Sequence, residues 1–381
     1  MPIILAIPWV ALPVATLLRA RDSRSLDDES ATAMDDAPTV SIVIPARNEE
    51  HNIERCVRSA LAANYPRLEV VAVDDHSTDG TGAILADISN EDARLRVVTP
   101  EPLPSDWFGK QWACTAGANA SNGDIIAFFD ADTVQAADLV PRAINAMRSR
   151  NADLLTVAGM QELGSFWERL LQPQVFAIML MRYGGTETVN SSRNASDKIA
   201  NGQCIFVRRS AYVETGGHAA VRMKVAEDLA MAQHYFRLGR RSYLVLGLNQ
   251  LSTRMYTSLR ELIDGWGKNL YAGGRDAAPL GAFGQALVPY LLCSPWIGAL
   301  LPPTLLVLSL AGVLGHSALV WSAIATGANV LWWLGVYSWL RLSPAYALLH
   351  PVGAAMMLYI SAGAIARGNK VRWKDREYIS A

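Results

Sequence analysis

An apolar run from Ile125 to Phe129 ends in two aspartates, Asp130 and Asp132, that are separated by one residue. A continuous apolar run bounded by polar residues is typical of a buried strand. Two carboxylates this close together repel each other unless a cation lies beside both. Mg²⁺ that carries a substrate diphosphate is such a cation, because it binds one or two protein carboxylates together with phosphate oxygens. For this pair alone, a strand end with solvated acids is the alternative.

The same arrangement of strand and acid occurs twice earlier in the chain. Val40–Pro45 runs into a polar loop with Arg47 and Glu49, and Leu68–Val73 runs into Asp74 and Asp75. A helix is predicted to begin near Asn52, with one apolar face formed by Ile53, Cys56, Val57, Ala60 and Leu61. Alternating strands and helices predict a doubly wound α/β sheet, in which ligands bind at the carboxyl ends of the strands.

With these segments in place, the chain resembles an inverting family-2 glycosyltransferase with the nucleotide-sugar-binding GT-A fold. The resemblance covers roughly Thr39 to Tyr271. Within the family, Gly-Lys-x-Trp-Ala together with apolar C-terminal segments is most similar to enzymes that glycosylate lipids, with hopanoid-associated and carotenoid glycosyltransferases nearest. The segments that carry the resemblance are Ser41–Glu49, Val73–Asp79, Gly109–Ala113, Asp130–Asp132 and Glu227–Asp228.

The resemblance implies a role for each matching residue. Asp228 would be the general base that deprotonates the acceptor, and Asp130 and Asp132 would hold Mg²⁺ or Mn²⁺. A uridine nucleotide is favoured, because a carboxylate can accept the imide N–H of uracil. The nucleotide sugar would be bound by Pro45, Ala46, Arg47, Glu49, Asp74, Asp75, Lys110, Gly117, Asp130, Ala131, Asp132, Gly202, Glu227, Trp266 and Lys268.

Several of these residues also have an ordinary structural explanation. Asp74 is well placed for an Asx turn, and Glu227 and Asp228 suit the positive end of a helix. Lys110 alone would be an exposed loop lysine. The Gln-x-x-Arg-Trp motif of many processive members is absent: Trp266 is present without the glutamine and arginine, and Lys268 is a candidate replacement for the missing cation. This difference favours transfer of one sugar over polymer synthesis.

The composition indicates a membrane protein. Hydrophobic residues make up 51% of the 381 residues, and they are concentrated at the two ends. Pro2–Leu18 is apolar and is followed by arginines, which favours a membrane anchor over a signal peptide. Between Gly281 and Ala366 the only charged residue is Arg341, which predicts spans near Ala286–Val313, Ala318–Leu340 and Ala345–Ala366. The net charge of −1 gives no electrostatic reason to expect nucleic-acid binding.

We therefore expect a GT-A domain with an N-terminal anchor and C-terminal transmembrane helices. The predicted regions are an anchor at 1–20, a linker at 21–38, the catalytic domain at 39–278, the transmembrane region at 279–366 and a basic tail at 367–381. Phe166–Tyr183 and Ser258–Tyr271 are either interfacial helices or core helices. The positive charge of the tail favours a cytoplasmic position, whereas three spans that start from a cytoplasmic domain would place the tail outside. Either Gly281–Val313 crosses the membrane twice or is re-entrant, or the tail does not follow the positive-inside rule.

The function expected from these features is transfer of one sugar, from UDP-glucose or a similar donor, to a hydroxyl of a lipid such as a carotenoid or hopanoid, with inversion. The catalytic domain would lie on the cytoplasmic face of a bacterial inner membrane. One alternative is a polysaccharide or polyprenyl-phosphate-sugar synthase of the same family. Another is an inactive nucleotide-binding scaffold. The sequence leaves the oligomeric state open.

Overall fold

The computed structural model describes residues 2–33, 35–278, 281–368, 370–373 and 376–379. Its contacts divide the chain into two units. The first, here called the helical unit, consists of Met1–Asp22, Leu163–Thr188 and Tyr256–Gly368. The second consists of Ser23–Glu162, Val189–Met255 and Asn369–Ala381, and it is here called the catalytic unit because it contains the residue expected to act as the base. The predicted domain boundary at 278/279 and part of the predicted basic tail lie outside the described residues.

The catalytic unit is built on a seven-stranded sheet in the order β3-β2-β1-β4-β8-β6-β9. β8 is antiparallel to its neighbours β4 and β6, and the other pairs are parallel. The strands are β1 Val40–Ala46, β2 Leu68–Asp74, β3 Leu95–Val98, β4 Ile125–Phe129, β6 Leu154–Ala158, β8 Cys204–Arg208 and β9 Ser242–Leu246. A small second sheet is formed by β5 Thr133–Gln135, β7 Met160–Gln161 and β10 Leu251–Thr253.

Helices cover the large sheet, as the alternation of patterns predicts. The expected apolar face of α2 is confirmed, since Ile53, Cys56, Val57, Ala60 and Leu61 are all buried. β4 is buried at every position, which explains why its sequence is uninterrupted rather than alternating. The helices are α2 Ile53–Leu61, α3 Thr81–Glu91, α4 Gly109–Ala120, α5 Leu139–Ser149, α8 Arg209–Glu214 and α9 Glu227–Arg237.

The helical unit contains α1 Pro2–Ala20, α6 Phe166–Tyr183, α10 Leu259–Ala277, α11 Gly281–Leu310, α12 His316–Trp339 and α13 His350–Arg367, and the short α7 Thr186–Ser191 begins in it. Three of its segments, Gly281–Leu310, His316–Trp339 and Pro344–Arg367, are long and apolar enough to cross a membrane. They match the three predicted spans. The idea that the first of them crosses twice is wrong, because α11 is one uninterrupted helix despite its four prolines.

The two segments expected at the membrane surface, α6 and α10, belong to the same unit as the long apolar helices. In α6, Leu170, Leu171 and Val175 are buried in the core of the helical unit, whereas Phe166 and Met179 are 45% and 42% exposed. A position of α6 in the membrane interface stays a prediction. The chain ends in a hairpin of β11 Lys370–Trp373 and β12 Arg376–Ile379, which belongs to the catalytic unit.

Gly117 shows how tightly α4 packs on the sheet. A Cβ atom at this position would lie 2.3 Å from Val43 Cγ1 and 2.8 Å from Val73 Cγ2. Real Cβ contacts are not this short, so only glycine allows α4 to approach β1 and β2 this closely. This packing accounts for the glycine without any substrate, and its predicted contact with the donor stays a prediction.

We expect Gly117→Ala to destabilise the protein by about 1–3 kcal/mol, the usual cost of overpacking a core. Thermal unfolding in detergent measures the effect. Gly298→Ala is the matched control, because nothing lies within 4 Å of a Cβ at that position in α11. An unchanged melting temperature for Gly117→Ala would contradict the close packing.

Candidate active site

The loops that follow β1 and β2 are joined by hydrogen bonds at the carboxyl edge of the sheet. The backbone N–H groups of Asn48 and Glu49 donate to Ser77 Oγ and Thr81 Oγ1 at 3.0 and 2.8 Å. In return, Asn48 Oδ1 accepts the N–H of Thr78 at 2.8 Å. Asn48 has a φ of 53°, a conformation that asparagine tolerates better than most residues. The result is a fixed surface at the end where ligands bind in such sheets.

Asp74 accepts a hydrogen bond within a turn, whereas Asp75 is buried beside Arg47. Asp74 Oδ1 accepts the N–H of Ser77 at 3.0 Å, so the turn expected as the alternative explanation is present. Arg47 crosses from the β1 loop and donates from Nη1 to the carbonyl oxygens of Asp75 and His76 at 2.6 and 3.0 Å. Asp75 itself is buried, with a relative exposure of 2%.

Lys110 connects three separate parts of the chain. Its Nζ lies 2.7 Å from Asp130 Oδ1, just after β4, and 2.8 Å from Glu227 Oε1, at the first residue of α9. The lysine is on the first turn of α4, so the alternative explanation of an exposed loop lysine is wrong, and its predicted contact with phosphate stays a prediction. The ammonium group thus contacts carboxylates that lie 20 and 117 positions further along the chain.

The charged groups of this cluster shift one another's pKa values. Burial opposes charge on Lys110, yet Asp130 and Glu227 overcome it and raise the pKa of the ammonium group well above its usual range. Burial raises the pKa of Asp130, against the attraction of Lys110. Burial and then the neighbouring Asp130 raise the pKa of Asp132 to about 7. For Glu227, the attraction of Lys110 outweighs burial and lowers the pKa.

Asp228 is held at the start of α9 by two backbone donors. Its Oδ2 accepts the N–H of Gly202 at 2.8 Å, and its Oδ1 accepts the N–H of Leu229 at 2.7 Å. Gly202 is therefore beside Asp228, and its predicted contact with the donor stays a prediction. Burial, followed by repulsion from Glu227, raises the pKa of Asp228 to about 6. A carboxylate with this pKa is suited to accept a proton near neutral pH.

Asp132 meets one test for a metal site. Its Oδ1 is buried and has no hydrogen-bond partner among the described residues. A buried carboxylate oxygen without a partner is costly, and a cation satisfies it. No group of three or more His, Cys, Asp or Glu side chains suited to a metal is found in the part of the chain that the structure describes. The residues therefore fit a metal that takes its other ligands from a phosphate group and water.

The remaining predicted residues are spread over both units. Pro45 and Ala46 lie at the end of β1, and Ala131 lies just after β4 in the catalytic unit. Glu49 is close enough to contribute to the raised pKa values of Asp130 and Asp132, although burial is the largest cause for both. Trp266 and Lys268 belong to α10 of the helical unit. The Trp266 ring packs edge-on against Phe176 and Tyr256 in the core of that unit, and the donor contacts predicted for both residues stay predictions.

Two residues near the site were given no role in it by the sequence. His218 is buried, with its ring edge-on to Phe128 at 4.5 Å and its Nδ1 3.0 Å from the Tyr212 hydroxyl; burial lowers its pKa to about 3, so the ring is neutral. Arg376 of the C-terminal hairpin pairs with Asp75. In the sequence, the basic tail indicates only membrane orientation, and no local pattern distinguishes one of its arginines from the others.

Comparison with known proteins agrees with this geometry. Residues 41–216 match the model of glycosyl transferase family 2. The chain is therefore similar to family-2 glycosyltransferases over these residues. The strand ends with Asp74, Asp75, Asp130 and Asp132 all lie within the matched residues, whereas Glu227 and Asp228 follow them. The predicted resemblance to family 2 and the predicted fold class are confirmed.

Among named relatives, the 4,4'-diaponeurosporenoate glycosyltransferases of Staphylococcus haemolyticus and Staphylococcus aureus strain USA300 are each 27% identical to this chain. The alignments span 63% of this chain and 63% of each relative's length. Among solved structures, the mannosyltransferase PcManGT of Pyrobaculum calidifontis, in complex with GDP-Man and Mn²⁺, shares the fold with a TM-score of 0.56. It is 17% identical, with 96% of this chain and 97% of that chain covered.

Removal of the Lys110 charge should destabilise the catalytic unit. In Lys110→Met, Asp130 and Glu227 lose their shared partner, and breaking a buried pair costs roughly 3–5 kcal/mol. The loss should be largest at neutral pH and smaller at pH 5, because protonation of the unpaired carboxylates relieves their repulsion. Lys110→Arg, which keeps the charge, is the control. Thermal unfolding at both pH values measures this, and a pH-independent loss would contradict the electrostatic explanation.

Proposed function

We propose that the protein transfers one sugar from a nucleotide sugar to a hydroxyl group of a membrane lipid, with inversion. The observation that carries the proposal is the cluster of Asp130, Asp132, Glu227 and Asp228 around Lys110 at the carboxyl end of the sheet. Sugar transfer needs a neutralised diphosphate and a base for the acceptor hydroxyl. This edge of the sheet offers groups for both tasks.

Asp130 and Asp132 would hold a divalent metal, Mg²⁺ or Mn²⁺. Such a metal supplies positive charge to the diphosphate as the sugar–phosphate bond breaks. Lys110 adds a second positive charge at the same place, and it can turn from its two carboxylate partners to phosphate oxygens as a point charge. The presence of Mn²⁺ and GDP-Man in the PcManGT complex supports this assignment.

Asp228 would act as the general base. The two backbone N–H groups that it accepts fix the carboxylate, and its raised pKa makes it a better proton acceptor than an ordinary aspartate. Attack by the acceptor oxygen on the face of the sugar opposite the diphosphate, with its proton passing to Asp228, gives inversion in one step. Glu227, whose pKa is lowered by Lys110, remains charged and stabilises that lysine.

The helical unit supports a lipid acceptor. Beyond its three membrane-length helices, α1 presents a row of exposed apolar side chains, and so does α11. Exposed apolar surface on this scale marks a membrane or partner interface rather than a water-facing one. The relatives named as glycosyltransferases of 4,4'-diaponeurosporenoate suggest a carotenoid-like acceptor. The exposed apolar residues of α1 and α11 include Ile4, Leu5, Val10, Leu17, Leu18, Tyr290, Leu291, Val307 and Leu310.

The direct test uses the protein purified in detergent with a panel of UDP-sugars and GDP-sugars, with and without Mn²⁺, and a carotenoid carboxylate or alcohol as acceptor. We expect metal-dependent release of the nucleoside diphosphate together with one sugar in the lipid extract, and Asp132→Asn should lose both. Sugar chains of many units would favour the synthase alternative. Absence of turnover with every donor would favour the inactive scaffold.

Asp228→Asn should slow transfer by on the order of 10²–10⁴ with donor binding nearly unchanged. In the wild type, the base is active only when deprotonated, so the rate should rise with pH through about 6 and level off above it. Single-turnover rates across pH 5–8 measure both effects. The control is Asp87→Asn, which changes an exposed aspartate of α3. Loss of donor binding would return Asp228 to a structural role at the helix start.

Exposed apolar residues of α6 should matter for the lipid and not for the donor. Met179→Glu places a charge on a side chain that is 42% exposed, which should drive this face out of the membrane interface. Transfer to lipid should fall several-fold more than hydrolysis of the donor. Val213→Glu, at an exposed apolar position of the catalytic unit, is the matched control. Equal loss of transfer and hydrolysis would show that α6 serves only as a core helix.

The hairpin also bears on membrane topology. Arg376 contacts Asp75, so the hairpin lies on the same side of a membrane as the catalytic unit. Three complete crossings by α11, α12 and α13 would place the hairpin on the side of the membrane opposite the rest of the catalytic unit. We infer that an even number of these helices cross completely, with both chain parts in the cytoplasm as the basic tail favours. Green fluorescent protein fused after Ala381 should then fluoresce, and an active alkaline phosphatase fusion would contradict this topology.

A further inference from the structure

The guanidinium group of Arg376 covers the carboxylate of Asp75. Nη1 lies 2.6 Å from Oδ2 and Nη2 lies 3.3 Å from Oδ1, so each nitrogen donates to one oxygen. Paired donation of this kind is the strongest and most directional contact that arginine makes with a carboxylate. The two residues are 301 positions apart in the sequence.

With Arg376 in place, Asp75 is closed to any other ligand. The side chain of Asp75 is only 3% exposed, whereas that of Arg376 is 20% exposed and forms the outer side of the pair. Asp75 follows β2 at the strand end where the nucleotide is expected to bind. A nucleobase N–H group can reach this carboxylate only after the guanidinium group has moved.

A second polar group beside Asp75 is also enclosed. Arg47 donates from Nη1 to the carbonyl oxygens of Asp75 and His76, yet its Nε is buried and has no hydrogen-bond partner among the described residues. A buried N–H without an acceptor costs free energy. With Asp75 covered, the Nε–H donor of Arg47 therefore stays unsatisfied. A bound ligand with an acceptor group would satisfy it.

The fold places Arg376 where it can move without disturbing the sheet. It is the first residue of β12 and pairs with Trp373 across the hairpin, next to the connection between the two strands. The hairpin forms its own two-stranded sheet, separate from the seven-stranded sheet. Displacement of Arg376 therefore breaks no strand pairing of the seven-stranded sheet.

We propose that Arg376 gates the nucleotide end of the site: its guanidinium group occupies Asp75 in the free protein and is displaced by the base of the donor. The guanidinium group stands in for the base, since both present planar N–H donors to the same carboxylate. The apparent affinity for the nucleotide is then reduced by the fraction of molecules in which Asp75 is covered. This inference rests on the proposed function, in which Asp75 binds the nucleotide.

The test is nucleotide binding by isothermal titration, with UDP and GDP as probes in the presence of Mn²⁺. Arg376→Ala should bind the preferred nucleotide roughly three- to tenfold more tightly, because the competing group is gone. Arg372→Ala, which removes another charge of the hairpin, is the control and should stay within about twofold of the wild type. Asp75→Asn should weaken binding with or without Arg376. Weaker or unchanged binding in Arg376→Ala would overturn the gate.

Hydrogen exchange on the wild type gives a second readout that needs no variant. Saturating nucleotide should increase exchange of the hairpin amides and decrease exchange in the loops after β1 and β2. Greater protection of the hairpin would show that Arg376 stays on the bound nucleotide, which overturns the gate. If the wild type binds neither nucleotide, the proposed function fails; if it binds and transfers sugar but Arg376→Ala changes nothing, only the gate fails.

Discussion

The pairing of Lys110 with Asp130 and Glu227 is the interaction on which the rest of the site depends. It connects the start of α4 with the end of β4 and the start of α9. Without the ammonium group, the acids collected at this edge would repel one another in a buried setting. With the ammonium group present, Glu227 stays charged, whereas the pKa values of Asp132 and Asp228 are raised.

Most of the catalytic fold can be predicted from local sequence. β1, β2 and β4 are apolar runs that end in acids, and parallel strands bring such ends to one edge, so the sequence alone places Asp74, Asp75, Asp130 and Asp132 together. The buried face of α2 follows from its helical spacing. Gly117 was assigned to the donor by resemblance, whereas its contacts with Val43 and Val73 depend on how closely a helix approaches a sheet, which sequence spacing does not reveal.

The contacts between distant segments are what the sequence could not supply. In the sequence, Lys110 looks like a loop lysine. Its contact with Glu227 depends on the position of α9 in the folded chain. Arg376 is one of several basic residues in the tail, and only the folded hairpin distinguishes it by placing it on Asp75. The same contact bears on the conflict between the predicted spans and the basic tail, because the tail is held by the catalytic unit. Long-range ion pairs of this kind have no local signature.

Transfer of one sugar to a lipid can be measured in the lipids of living cells. Cells that express the wild type or Asp228→Asn would be grown with ¹³C-labelled glucose, and their total lipids compared by mass spectrometry. We expect a lipid class that gains the mass of a single labelled hexose only with the wild type. Labelled sugar that appears only in water-soluble or polymeric products, with lipids identical in both strains, would contradict it.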